Sequence, residues 1–283
     1  MKTYRLVSVL FFLLMTAIQG ISQEKNNSAP FFFIQVTDPQ FGFFESNKGF
    51  PKETELYEKA VSKINNLHPD FVVITGDLVN NKDDKSQIAE FKRITARITP
   101  SIPVWYSPGN HDIGQPPAQK DIDAFISEYG HDRFSFRHKN CTFIGLNSCL
   151  VKSGISEPEQ LQFEWLSKEL SNAEVMNHII IFSHYPFFIK AFDEPETYSN
   201  ISTEIRNRYL DLFKKFKVDA VYAGHLHNNE SAKYGQMEMV TTSAVGKPLA
   251  NAPSGLRIVK VYSNRIESVY YSLDELPEVI IYN

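Results

Sequence analysis

Asp70-Phe71-Val72-Val73-Ile74-Thr75-Gly76-Asp77 decides how this chain is read. Its apolar centre has no polar alternation, the pattern of a strand buried on both faces, as in parallel sheets. Gly76 lets the backbone turn tightly at the strand's carboxyl end, and a carboxylate follows at once. Four other segments repeat the arrangement. Phe31–Thr37 runs into Asp38, Ile102–Gly109 into Asn110-His111, Ile179–Ser183 into His184, and Val218–Gly224 into His225, with His227 two residues on. In open α/β sheets, ligands gather at the carboxyl ends of such strands. One carboxylate or imidazole there would mean little. Two Asp, one Asn and four His at five strand ends read as a dinuclear metal site.

Working outward, helices fill the gaps between these runs. Lys52 to Leu67 places Leu56, Ala60, Val61, Ile64 and Leu67 at helical spacing, and Asp83-Asp84 opens a helix with Ile88, Phe91, Ile94 and Ile98 on one face. Asp121 to Tyr129, Ser156 to Leu170 and about 202 to 216 complete the helical set. Ser156 followed by Glu159, with Pro158 in the first turn, has the form of a capping box. Phe134–Arg137 and Thr142–Asn147 read as a pair of strands. Met237–Thr242, Leu256–Ser263 and Arg265–Ser272 alternate like antiparallel strands, the last two turning at Ser263-Asn264. Parallel βα units followed by hairpins predict an α/β fold of two packed mixed sheets flanked by helices, a four-layer α-β-β-α sandwich. No internal repeat or linker divides it, so residues 23–283 are expected to form one domain.

With 283 residues, 42% apolar and 22% charged, the composition is that of an ordinary globular protein. Residues 1–22 read as a signal peptide: Lys2 and Arg5 supply positive charge, Leu6–Ile18 is apolar, and Gly20-Ile21-Ser22 suits cleavage before Gln23. That apolar stretch is too short to span a bilayer comfortably, so an uncleaved anchor is the weaker alternative. An exported protein, periplasmic or secreted, with no stable membrane anchor after cleavage is expected. The formal net charge of −4 and the lack of a dense basic patch argue against nucleic-acid partners. The two cysteines, Cys141 and Cys149, lie at the ends of a strand-like segment that rises about 3.3 Å per residue. They cannot approach to the roughly 6 Å Cα separation a disulfide needs, and two free, buried thiols are expected.

Each candidate has a bland reading. A lone Asp after a strand is usually a cap or turn residue, Pro-Gly-Asn sequences make turns, and a solitary strand-end His is more often structural. The spacing favours chemistry. Pro39 is expected to hold Asp38 extended, and Asp77 to bridge two metals with Asp38 on one of them. Asn110 is a neutral oxygen ligand, leaving His111 as an acid/base imidazole. Asp112 would orient His111 or cap a helix, the cap being favoured. His225 and His227, at i and i+2 in an extended segment, would point the same way. His68, His131, His138 and His178 lack such a setting and read as surface or packing residues.

Taken in order, these segments resemble the calcineurin-like metallophosphoesterase superfamily. Its signature reads here as Asp38-Pro39-Gln40, Gly76-Asp77-Leu78-Val79, Gly109-Asn110-His111-Asp112, His184 and Gly224-His225-Leu226-His227. Within it, the chain is most similar to the calcineurin-like phosphoesterase domain-containing branch of Ser/Thr phosphatases, through Phe33–Gly42, Gly109–Gly114 and Tyr270–Leu276. The resemblance implies two divalent ions (Mn²⁺, Fe²⁺/Fe³⁺, Zn²⁺ or Mg²⁺). Asp38, Asp77, His227 and, directly or through water, Gln40 would hold one. Asp77, Asn110, His184 and His225 would hold the other. Gln40 departs from the superfamily, which mostly has His there; an amide oxygen is a poorer transition-metal ligand and tolerates Mn²⁺ or Mg²⁺. The implied reaction is hydrolysis of a phosphate monoester, phosphoprotein Ser/Thr included, by a metal-bridging hydroxide with His111 as general acid. The rivals are a phosphodiesterase on nucleotide or lipid head-group substrates and a non-catalytic metal-binding relative. Specificity falls to loops 41–51 and 185–200, where Phe43, Phe44, Tyr185, Phe187, Phe188 and Tyr198 are candidate pocket residues.

Overall fold

The computed structural model describes residues 29–174, 176–249 and 251–282; the proposed signal peptide lies outside them. Eleven strands form two mixed sheets. The first joins β1 (Phe31–Val36), β2 (Val72–Thr75), β3 (Val104–Ser107), β10 (Gly255–Val261) and β11 (Ile266–Ser272) in the order β11-β10-β1-β2-β3. The second joins β4 (Phe134–His138), β5 (Cys141–Gly145), β6 (His178–Phe182), β7 (Ala220–Ala223), β8 (Glu230–Tyr234) and β9 (Met237–Thr241) in the order β4-β5-β6-β7-β9-β8. The helices are α1 (Pro51–Leu67), α2 (Lys85–Thr95), α3 (Asn110–Ile113), α4 (Gln119–Tyr129), α5 (Ser148–Lys152), α6 (Glu157–Asn172) and α7 (Thr203–Lys215). Among the described residues, no helix is long and apolar enough to cross a membrane.

Strand periodicity explains the layering. Successive side chains alternate between faces, and here both faces are covered. Phe31 and Phe33 of β1, Phe71 and Val73 around β2, Phe143, Ile180, Phe182, Tyr222 and Val259 fill the space between the sheets. Their neighbours Phe32, Ile34, Val36, Val72, Ile74, Ile179, Ile181, Val221 and Ile258 face the helical layers. The rings interlock: Phe33 stacks on Phe71 at 4.9 Å and meets Phe143 and Phe182 edge-on at 5.6 Å each. Near the carboxyl ends the inter-sheet space turns polar. Gln35 donates to Thr75 Oγ1 and the Ala223 carbonyl and accepts from Thr242, so one amide ties β1 and β2 to the second sheet.

Several local expectations are revised. Met237–Thr241, expected as an antiparallel strand, is antiparallel to β8 but parallel to β7 on its other side, within the second sheet. Strand β8, Glu-Ser-Ala-Lys-Tyr, is too polar to read as a strand and survives as an edge. The strand from Cys141 ends at Gly145, and Asn147 caps the short helix α5 through Leu150 N at 3.4 Å. Ser156 starts α6 without a side-chain cap. Glu159 is instead buried and accepts from Arg208 and Tyr209 on α7. Asp84 does cap α2, accepting from Ser86 N and Gln87 N. Cys141 and Cys149 are free and buried.

Phe33 is fully buried among four rings. Phe33→Ala should therefore lower unfolding free energy by about 3–5 kcal/mol, read from urea titration; a loss below about 1 kcal/mol would mean that the inter-sheet layer is not the principal core.

Candidate metal centre

The two carboxylates of the candidate site, Asp38 and Asp77, are buried and set by their backbones. Asp38 follows β1 with φ 51° and Asp77 follows β2 with φ 50°, both left-handed. Non-glycine residues adopt this region rarely, and they concentrate at functional sites. Asp38 was expected to be extended. Pro39 does keep it out of right-handed helical geometry, but the Asp38 amide donates to the Gly76 carbonyl at 3.1 Å, and that bond curls the turn. Asp38 Oδ2 accepts from Thr37 Oγ1 at 2.6 Å and His225 N at 3.1 Å. Asp77 Oδ1 accepts from His111 N at 2.8 Å, which leaves Oδ2 3.3 Å from His184 Nε2.

The imidazoles arrive from the second sheet. His184 Nδ1 donates to the Thr75 carbonyl at 3.0 Å, and Nε2 lies 3.1 Å from Asn110 Oδ1 and 3.2 Å from His225 Nδ1. His227 Nδ1 donates to the Lys247 carbonyl, and Nε2 lies 3.3 Å from Asp38 Oδ1. Such outer bonds fix the tautomer and turn the other ring nitrogen inward. His225 and His227 have φ of 68° and 49°, so the Gly-His-Leu-His segment is tightly coiled and not extended. The coil aims the two rings at different neighbours. Gly224 permits the close approach: a β-carbon there would strike Thr37 Oγ1 and lie 2.7 Å from Asp38 Oδ2.

Two groups of ligand atoms result, Asp77-His184-His225 and Asp38-Asp77-His227, each with atoms within 4.8 Å of one another. Asp77 is common to both, and Asn110 borders the first. Gln40 donates through Nε2 to Asn80 Oδ1 at 3.1 Å, leaving its carbonyl oxygen buried without a partner. Asp38 Oδ1, 3.3 Å from His227 Nε2, and His225 Nε2 are likewise buried without a hydrogen bond. Buried polar atoms are rarely left unpaired, so an oxygen- and nitrogen-rich cradle with orphaned acceptors fits divalent cations. His111 stands beside the groups: its Nδ1 donates to the Asn80 carbonyl at 2.9 Å and its ring joins neither set.

With protein groups alone, the charges are strongly coupled. Burial works against ionised Asp77, but His184 beside it holds the carboxyl well below the usual range. Burial likewise opposes charge on His184, yet Asp77 and Asp38 outweigh it and raise the imidazole to about 9. Burial and the neighbouring His184 push His225 down to about 3. Charge is thus favoured on one imidazole and opposed on the adjacent one.

Some supporting residues give no signal in sequence. Ser148 Oγ accepts from both His184 N and Tyr185 N at 2.9 Å, and Asn80 holds both Gln40 and His111. Thr37, beside Asp38, was the one readable from adjacency. Asp112 does not touch the His111 ring; it caps α3 at Gly109 N and accepts from Leu78 N and Val79 N. Of the candidate pocket aromatics, Phe187 and Phe188 are fully buried in the core. Phe43 packs on His227, while Tyr185 and Tyr198 pack on His225. His138 pairs with Asp70 and His178 with the Tyr262 carbonyl, as packing residues do.

Residues 33–229 match the family described as calcineurin-like phosphoesterase. The chain belongs to that family. The serine/threonine-protein phosphatase CPPED1 of Rattus norvegicus is 36% identical to this phosphoesterase over 280 residues, covering 92% of this chain and 90% of that protein. The Homo sapiens protein of the same name is 36% identical over 276 residues, covering 90% and 88%. A dimetal phosphatase from Danio rerio shares the fold, with a TM-score of 0.58 at 15% identity over 86% of this chain and 99% of that one. The family is one of phosphoric ester hydrolases.

The His184 shift has a definite sign. A folded pKa raised from 6.5 to about 9 stabilises the cation-free fold fully below 6.5, and that contribution is lost as pH rises through about 9. Melting temperature in chelator should fall across this window, and His184→Gln should flatten the fall. An unchanged slope in the variant would assign the titration elsewhere.

Proposed function

We propose that this phosphoesterase hydrolyses phosphate monoesters, phosphorylated Ser or Thr side chains among them, with two divalent ions bound at its strand ends. The observation that carries this is the pair of ligand groups sharing Asp77, with the His111 imidazole standing outside both. Asp38, Asp77 and His227, with the free Gln40 carbonyl, would hold one ion; Asp77, Asn110, His184 and His225 would hold the other. The amide oxygen at Gln40 favours oxygen-tolerant Mn²⁺ or Mg²⁺ at the first position over softer ions; iron or zinc suits the imidazole-rich second. When bound, such ions lower the pKa of water towards neutrality and neutralise charge on the phosphoryl oxygens.

The protein's own groups do the rest. His111 donates Nδ1–H to the Asn80 carbonyl, so Nε2 is the ring atom available to hand a proton to the leaving alkoxide. Its main-chain N–H donates to Asp77, which couples the acid's position to the shared carboxylate. The serine/threonine phosphatases that this chain resembles along nearly its whole length support a phosphoprotein substrate. The charged, then apolar, leader of residues 1–22 supports export.

Asp77→Asn should lose bound metal and turnover together. His111→Ala should keep its metal while its rate on alkyl phosphates falls on the order of 10²–10⁴-fold. Elemental analysis and p-nitrophenyl phosphate assays, with the bis ester as comparison, check both. Equal metal loss in His111→Ala would remove it from the acid role, and a preference for the bis ester would make the protein a diesterase. N-terminal sequencing of the exported protein should begin at Gln23; an intact Met1 would refute cleavage.

A further inference from the structure

One cation beside the site has no place in the chemistry above. Lys247 Nζ lies 5.1 Å from the centre of the Phe43 ring and 5.5 Å from that of Phe44. Phe43 packs edge-on against His227 at 5.3 Å and stands 6.5 Å from the His111 ring. The ammonium is therefore one ring away from the imidazole that faces the departing alcohol. All three side chains are partly exposed. Among the described residues no carboxylate pairs with Lys247, and the rings of Phe43 and Phe44 are its neighbours instead.

Ring faces attract an ammonium without neutralising it. Its N–H groups remain donors, since a ring offers no oxygen lone pair. Like charge from a bound metal pair also raises the cost of keeping a cation here, and an incoming anion would relieve that cost. The backbone on both sides of this contact is tied down. Lys247 follows Gly246, whose amide donates to the Asp38 carbonyl at 3.2 Å, and the Lys247 carbonyl accepts from His227. On the facing loop, Phe44 N donates to Glu53, and Asn47 accepts from Asn80 and Gln87. Two loops, each pinned to the site's own framework, hold the cation and its rings together.

We propose that Phe43, Phe44 and Lys247 form a leaving-group subsite that selects phosphate monoesters whose alcohol half bears a second anionic group close to the ester. The subsite rests on the reading of His111 as the acid, because that places the alcohol on the Phe43 side. The second anion has two sources of the same chemistry: an acidic residue beside a phosphoserine, or a carboxylate on a small phosphate ester.

Two matched pairs distinguish the sources. One is a phosphoserine peptide with Glu or Gln following the phosphorylated residue; the other is 3-phosphoglycerate against glycerol 3-phosphate. Full-length metal-loaded protein should favour the anionic member of at least one pair by about tenfold in kcat/KM, the scale of one charge-assisted hydrogen bond. Lys247→Met should bring that ratio close to one, and Lys247→Arg should restore it. Calorimetric binding of the peptide pair carrying a hydrolysis-resistant phosphonate in place of phosphoserine, and of phosphonate analogues of the small pair, should give the same ratios without turnover. No preference in either pair while p-nitrophenyl phosphate is hydrolysed would overturn the subsite, as would a preference that survives Lys247→Met. Protein that hydrolyses no monoester would refute the phosphatase reading, and the calorimetric ratios would still decide the subsite.

Discussion

Two carboxylates sealed from water, Asp38 and Asp77, set the terms for the rest of this molecule. An isolated buried carboxylate is costly unless it is paired and hydrogen-bonded. Here the compensation comes from main-chain amides, the Thr37 hydroxyl and imidazoles delivered by the opposite sheet. The two sheets must therefore meet closely at their carboxyl ends. The aromatic layer of Phe33, Phe71, Phe143 and Phe182 and the Gln35 amide hold them at that distance. Packing and site are one construction: the core supplies the rigidity that keeps like groups crowded together, and orphaned atoms such as Asp38 Oδ1 mark where cations complete the balance.

The backbone carries a matching strain. Asp38, Gln40, Asp77, His225 and His227 all lie in the left-handed region. Conformations of this kind persist when their surroundings over-determine them, and here hydrogen bonds from neighbouring strand ends, and for His227 from the loop after β9, grip each one. Gly76 and Gly224 belong to the same device. A side chain at Gly76 would strike the Gly109 backbone and approach His184 Nδ1 to 2.8 Å. These glycines let two strand-end turns, drawn from different sheets, pass within contact of one another.

Around this rigid interior the rim is of a different kind. Phe43, Phe44, Lys247 and Tyr198 come from connecting loops, the usual carriers of binding residues on a rigid scaffold. The CPPED1 phosphatases share about a third of their residues with this chain across nearly all of its length.

Much of this was legible in the linear chain, and for a definite reason. Doubly buried strands are continuous apolar runs, and each run here stops at a carboxylate, amide or imidazole, so local pattern pointed to both the sheets and the strand-end residues. What escaped was set by contacts distant in sequence. That Met237–Thr241 runs parallel to β7 on one side and antiparallel to β8 on the other is something its own alternation cannot express. Phe187 and Phe188 looked like loop aromatics until the fold turned them into the core. Asn80 and Ser148 act only through atoms that arrive from elsewhere. Sequence alone determined most of the strands and helices and the carboxylates and imidazoles at the strand ends; the tertiary structure decided which carboxylate is common to both groups, which imidazole stands apart and which lysine lies over the Phe43 and Phe44 rings, because those are relations between segments that only packing brings together.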